Sequence, residues 1–128
     1  MNTILTNASS GLLMPSESDY PFTAFTWTNA AKQRLTTARL LKLTAHAPDT
    51  TVEVVDLRTF FRNVAYPQPW HDRQQAMTVK KFQRLVKVLQ QHLTDIRVYR
   101  VGTIHVDAYV VGRSGNNLAG LSTTLIET

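Results

Sequence analysis

An α+β fold built on a mainly antiparallel sheet is the architecture this sequence predicts, and three observations predict it. Residues 96–126 hold three strand-like segments in a row, separated only by short turns. Residues 73–93 carry the strongest helical periodicity in the chain. Upstream of both, helix-like and strand-like stretches follow one another with no internal repeat, so helices are expected to cover both faces of the sheet.

Leu5, Ala8 and Leu12 recur at helical spacing within residues 4–13, where Gly11 can close the helix. Residues 14–21, punctuated by Pro15 and Pro21 with serines and acids between, read as an exposed loop. In residues 22–28, Phe22, Ala24, Thr26 and Thr28 alternate with Thr23, Phe25 and Trp27, the period of a strand. Thr36 can cap a helix that holds Leu40, Leu41 and Ala45 and ends before Pro48. Residues 51–55 form a further short strand candidate. Asp56 then caps a helix over 57–64 with Leu57, Phe60, Phe61 and Val64 as its buried stripe, and Tyr66-Pro67-Gln68-Pro69-Trp70 breaks it.

In residues 73–93, Ala76, Val79, Phe82, Val86, Leu89 and Leu93 are spaced three and four apart on one face. Lys80, Lys81, Arg84, Lys87 and Gln91 fall on the other. The meander starts with residues 96–101, which turn at Gly102-Thr103. Ile104, Val106, Ala108 and Val110 then alternate with His105, Asp107, Tyr109 and Val111. Ser114-Gly115-Asn116-Asn117 tolerates positive φ and lets the chain reverse into residues 118–126. With Tyr109, Val111 and Leu121 off the main apolar row, both sheet faces should receive cover. The last strand should hold Glu127 and the Thr128 carboxylate on a rigid edge.

At 128 residues with 43% hydrophobic content, the chain fits one domain, 1–128, with a proper core. It has no cysteine, which excludes a disulfide, a thiolate metal site and a cysteine nucleophile, and fits a reducing compartment. Residues 1–31 contain no Lys or Arg, so a secretory signal is not expected, and no aliphatic run is long enough to span a membrane. The expected address is the cytoplasm. The formal net charge is +5, a balance that favours polyanionic partners. Its placement is uneven: between residues 80 and 100 six cations are opposed only by Asp95, while Glu17 and Asp19 are the only acids before residue 49. The chain should therefore have two different faces.

Three kinds of chemistry are open to these residues. For hydrolysis, His46, His71, His92 and His105 are possible bases and Asp72, Asp95 and Asp107 possible orienting groups. None lies in a nucleophile elbow, a glycine-rich phosphate loop or a metal motif, and no enzyme is expected. His105 and Asp107 share a strand face, which suits a catalytic pair or an ordinary hydrogen-bonded one. For nucleic-acid binding, Lys80, Lys81, Arg84 and Lys87 could take phosphates, or be a solvated helix face. For protein binding, Trp70 after Pro67-Gln68-Pro69 could be an anchor or a core residue under the loop. Glu17 could be an interface carboxylate, a loop residue or a helix cap.

Long stretches of the chain resemble, in order, the cyanobacterial nuclease A inhibitor family. They are Gly11-Leu12-Leu13-Met14-Pro15-Ser16-Glu17-Ser18-Asp19-Tyr20-Pro21-Phe22, Val54-Val55-Asp56 with Phe60-Phe61, and Pro67-Gln68-Pro69-Trp70. Lys81-Phe82-Gln83, Val98-Tyr99-Arg100-Val101-Gly102, Asp107-Ala108-Tyr109-Val110-Val111-Gly112 and Asn117-Leu118-Ala119-Gly120-Leu121-Ser122-Thr123 continue the match through Glu127-Thr128. The resemblance implies a three-layer α/β/α sandwich like the pathogenesis-related class 1 fold. It also implies a cytoplasmic inhibitor of a metal-dependent, sugar-nonspecific DNA/RNA endonuclease, monomeric when free and with no cofactor of its own. In such inhibitors an acidic residue of the Ser-Glu-Ser loop and the C-terminal threonine reach the nuclease active site, the terminal carboxylate engaging its magnesium, and a loop tryptophan anchors the complex. Here those positions are Glu17, Thr128 with its neighbour Glu127, and Trp70.

Overall fold

The structure is a computed structural model that describes residues 1–127; Thr128, and with it the expectation for its carboxylate, lies outside the described residues. From the N-terminus the chain runs through α1 (Asn2–Ser9), β1 (Leu13–Met14), β2 (Tyr20–Pro21), β3 (Thr23–Trp27), a 3-10 turn (Ala30–Lys32) and α2 (Thr37–Leu43). It continues through β4 (Val52–Val55), α3 (Leu57–Phe60), α4 (Arg62–Ala65), α5 (Arg73–His92), β5 (Thr94–Val101), β6 (His105–Ser114) and β7 (Asn117–Ile126). The fold is mixed α+β, with one antiparallel sheet of five strands in the order β3-β7-β6-β5-β4 and a separate β1-β2 ribbon. Among the described residues, no helix is long and apolar enough to cross a membrane.

Strand alternation sends successive side chains to opposite faces, and here it separates two apolar clusters. Val98, Val106, Ala108, Val110 and Leu121 point into the larger one, with Phe61, Phe82, Leu85, Leu89 and Leu5 from the helices. Tyr99, Val101, Val111 and Leu118 point into the smaller, with Leu40 and Leu41 of α2 and Ala30 and Ala31 of the 3-10 turn. Leu121 therefore lies on the Val110 side and not with Tyr109 and Val111, because it is the cross-strand partner of Val110.

Elsewhere, too, packing overrides the local pattern. The first helix ends at Ser9, short of residue 13: Ser9 Oγ donates to the Leu5 carbonyl at 2.8 Å, and Ser10 leaves helical geometry. Residues 14–21 are consequently not all exposed loop, since Met14 pairs with Tyr20 and is 7% exposed. The helix expected over 57–64 divides at Phe61, where the backbone relaxes to φ −94° and the ring sits among Phe22, Phe60 and Phe82 at 5.0–6.2 Å. In α5 it is Leu85, at 0% exposure, that fills the core, and Val86 is only partly covered. Burying Phe82, Leu85 and Leu89 contributes about 1.5–3 kcal/mol each. The sheet edges are β3 and β4, so β7 is an inner strand and not the edge expected beneath Glu127.

The antiparallel order gives the sheet two distinct ends. At one, β5 finishes, β6 starts and β7 finishes. At the other lies the β6-β7 hairpin, Ser114 opposite Asn117, with the end of β3 beside it. Helix α5 stops two residues before β5 begins, so its C-terminus lies near the hairpin end, and its 20 residues run about 30 Å from there.

Candidate functional site

The end of β7 and the Ser-Glu-Ser loop are stitched together at the first end. Ser16 Oγ donates to the Ser18 carbonyl at 2.6 Å, which folds the loop, and accepts from the Ile126 N–H at 3.0 Å. The Glu17 N–H donates to the Ile126 carbonyl at 3.2 Å, and the Glu127 N–H to the Ile104 carbonyl at 2.8 Å. The Glu17 side chain is exposed. The Glu127 carboxylate pairs with Arg100, whose guanidinium also reaches Glu53 at 3.1 Å from Nε. The loop and the last described residues thus form one braced platform with carboxylates at its surface.

Trp70 settles on the exposed side of its two readings: it is 74% exposed. The loop beneath it is held by the Gln68 N–H donating to His71 Nδ1 at 3.2 Å and the His71 N–H donating to the Gln68 carbonyl at 3.1 Å. Asp72 then starts α5 with a capping box, its Oδ1 accepting from the Gln75 N–H at 2.7 Å while Gln75 Oε1 accepts from the Asp72 N–H at 2.9 Å. Trp70 is therefore fixed next to the N-terminus of α5. Ile104, 60% exposed in the turn between β5 and β6, adds apolar surface to the platform, its carbonyl accepting from the Glu127 N–H. The alternation puts Ile104 in the apolar row with Val106, Ala108 and Val110, but the strand begins at His105 and leaves Ile104 in the turn after Gly102-Thr103.

The titratable residues that could have served hydrolysis are only partly brought together. His105 Nε2 lies 3.2 Å from Asp107 Oδ1, and His46, from the turn after α2, lies 3.4 Å from Asp107 Oδ2 and 3.1 Å from the Tyr109 hydroxyl. The Tyr109 hydroxyl titrates above its ordinary value, first because it is buried from water and then because the Asp107 carboxylate disfavours a phenolate. Around Asp107 there is no cysteine and no serine held by either imidazole. Thr124 Oγ1, at 3.5 Å, donates to Asp107 and not to a base. His71 serves its loop, Asp72 its helix, and Asp95 stands at the far end of the sheet. Among the described residues, no group of three His, Cys, Asp or Glu can hold a metal ion. Joining His46 to Asp107 across 60 intervening positions left no trace in the sequence.

Lys80, Lys81, Arg84 and Lys87 are all exposed on α5, as their spacing predicted. Lys81 and Arg84 border the groove between α5 and α1.

A family model described as NuiA, nuclease A inhibitor-like protein, matches residues 1–128, the whole sequence. No curated protein matches.

Proposed function

The chain belongs to the nuclease A inhibitor-like family, and from that premise we propose that it inhibits a metal-dependent, sugar-nonspecific DNA/RNA endonuclease. Glu17 and the carboxylate carried by Thr128 enter the nuclease active site, and Trp70 anchors the complex beside them. The observation that carries this reading is the mutual hydrogen bonding of the Ser-Glu-Ser loop and β7, Glu17 N–H to Ile126 carbonyl and Ile126 N–H to Ser16 Oγ. A loop whose backbone is held this way loses little freedom on binding, which removes part of the usual cost of association. A nuclease active site holds a hard divalent cation and binds phosphates, so fixed carboxylate oxygens can take the substrate's place. Glu127, ion-paired to Arg100, holds the segment that delivers Thr128. The magnesium belongs to the nuclease. The free protein is a cytoplasmic monomer in this proposal, and its two apolar clusters on alternate strand positions support a three-layer α/β/α sandwich of the pathogenesis-related class 1 kind.

The test is a titration into magnesium-dependent nucleases that cleave both DNA and RNA. Inhibition should be stoichiometric, and Glu17→Gln should weaken it by about 2 kcal/mol or more. Deleting Thr128 should weaken it too, with the fold unchanged. Undiminished inhibition by both variants would sink the mechanism. Retardation of DNA at physiological salt without inhibition, abolished by changing Lys80, Lys81, Arg84 and Lys87 to Glu, would instead identify a nucleic-acid module.

A further inference from the structure

Four cations from three separate segments converge at the hairpin end of the sheet, opposite the Glu17 platform. The 3-10 turn is tied to the β6-β7 hairpin: the Ala31 N–H donates to the Asn116 carbonyl at 2.9 Å, the Asn29 N–H to Asn117 Oδ1 at 2.8 Å, and Arg113 Nη2 to the Ala31 carbonyl at 3.5 Å. Lys32 ends that pinned turn and Arg34 follows it. With Arg97 of β5 and Arg113 of β6 they border a pocket of about 440 Å³, and Asp95 is the one acid on its wall. Among the described residues none of the four cations has a carboxylate within 4.0 Å, although Arg100, three residues along β5 from Arg97, has two. The floor is apolar, made by the buried Tyr99, Val111 and Leu118.

Like charges gathered around a concavity repel one another, and an anion placed among them removes that repulsion. Arginines suit phosphate in particular, because the planar guanidinium donates two parallel hydrogen bonds to its oxygens. The apolar floor and the volume exceed what a bare phosphate needs and fit a phosphate that carries an organic body. We propose that this pocket binds a nucleoside phosphate, with Lys32, Arg34, Arg97 and Arg113 around the phosphates and the floor under the nucleoside. The site lies at the other sheet end from the carboxylates proposed to inhibit, so neither reading depends on the other.

The test is calorimetric titration of the full chain at low salt with two probes, ADP and a short 5′-phosphorylated single-stranded oligonucleotide. Saturable binding by ADP identifies a free nucleotide as the source, and binding by the oligonucleotide alone identifies a strand end. For whichever probe binds, Arg34→Glu or Arg97→Glu should weaken it about tenfold, the loss of one charged hydrogen-bonding group, and make it less salt-dependent. A variant on α5, Lys80→Glu with Lys87→Glu, should leave it unchanged. Amide shifts on the unaltered protein should move at Tyr99, Val111 and Leu118, which guards against a variant that fails to fold. Absence of binding by both probes, binding retained in the Arg34→Glu, Arg97→Glu double variant, or shifts confined to α5 would each overturn the proposal.

Discussion

Removing the Trp70 side chain separates affinity from stability more cleanly than any other change in this protein. An indole offers up to about 250 Å² to burial, and with 74% of the residue exposed only about a quarter of that is covered. At about 25 cal/mol per Å², Trp70→Ala costs at most about 1.6 kcal/mol of folding stability, an upper bound because the unfolded chain already shields some surface. That corresponds to roughly 3–8 °C in melting temperature for a chain of this size. A contrasting change, Phe82→Ala at 1% exposure, should cost about 3–5 kcal/mol. In the complex the order reverses. An exposed tryptophan fixed by a proline-flanked loop is the kind of residue whose truncation costs about 2 kcal/mol or more of binding, and Phe82→Ala should leave affinity per folded molecule unchanged. The assay pairs urea unfolding with titration into the nuclease, both variants measured below their unfolding transitions. A loss of stability from Trp70→Ala as large as that from Phe82→Ala, with full affinity retained, would refute the reasoning.

Other changes probe the scaffold. Gly120 faces Val111 across the β6-β7 ladder, and a Cβ there would collide with the Val110 carbonyl oxygen, a backbone atom that cannot swing aside; Gly120→Ala should cost more than the roughly 1–3 kcal/mol of ordinary overpacking, read from the urea midpoint. Asp72→Ala removes one half of the α5 capping box and should cost about 1 kcal/mol, with faster hydrogen exchange at the Gln75 amide. Tyr109 holds its proton more tightly in the folded protein than its ordinary value of 10.0 allows. Its contribution to stability is therefore fully present below that pH and is lost as pH rises through the raised value. Tyr109→Phe should flatten the alkaline fall of the melting temperature, and an unchanged alkaline limb would count against the assignment.

What the sequence makes legible follows from how local the signal is. Helix α5 and the β5-β6-β7 meander are readable because their apolar positions repeat at 3.6 and 2 residues over long spans. The β1-β2 ribbon is not, since two-residue strands carry no period and the pairing of Met14 with Tyr20 depends on a loop between two prolines. Phe61 shows a different limit: its stripe position is right, but burial among three other rings breaks the helix meant to present it. Leu85 is missed in favour of Val86 because a stripe drawn three and four apart leaves two neighbouring residues nearly equivalent, and only the sheet beneath decides between them. Glu17 and Trp70 are legible as residues of interest from their loops and the family resemblance. The attachment of the Glu17 loop to the end of β7 is a fact of topology. The basic pocket escapes for the same reason, since Lys32, Arg34, Arg97 and Arg113 share no local pattern.

The net charge of +5 is ill-suited to the proposed offering of carboxylates to a nuclease, because a nuclease collects anions. Placement resolves this. Glu17 and Glu127 stand where β6 begins and β7 ends, while Arg97, Arg113, Lys32 and Arg34 stand at the hairpin end. Arg97, opposite Val111, and Arg113 lie six and eight positions along β6 from His105, which faces Ile126, about 20–27 Å of strand. The Debye length at physiological salt is about 8 Å, so the field of the basic end crosses about two and a half to three Debye lengths before it reaches the platform. At the platform itself Arg100 is committed to Glu53 and Glu127, which leaves it little reach toward an approaching cation. An incoming nuclease therefore meets the local charge of the loop and not the sum over the chain. The same separation lets the cations at the far end hold an anion of their own without weakening that encounter.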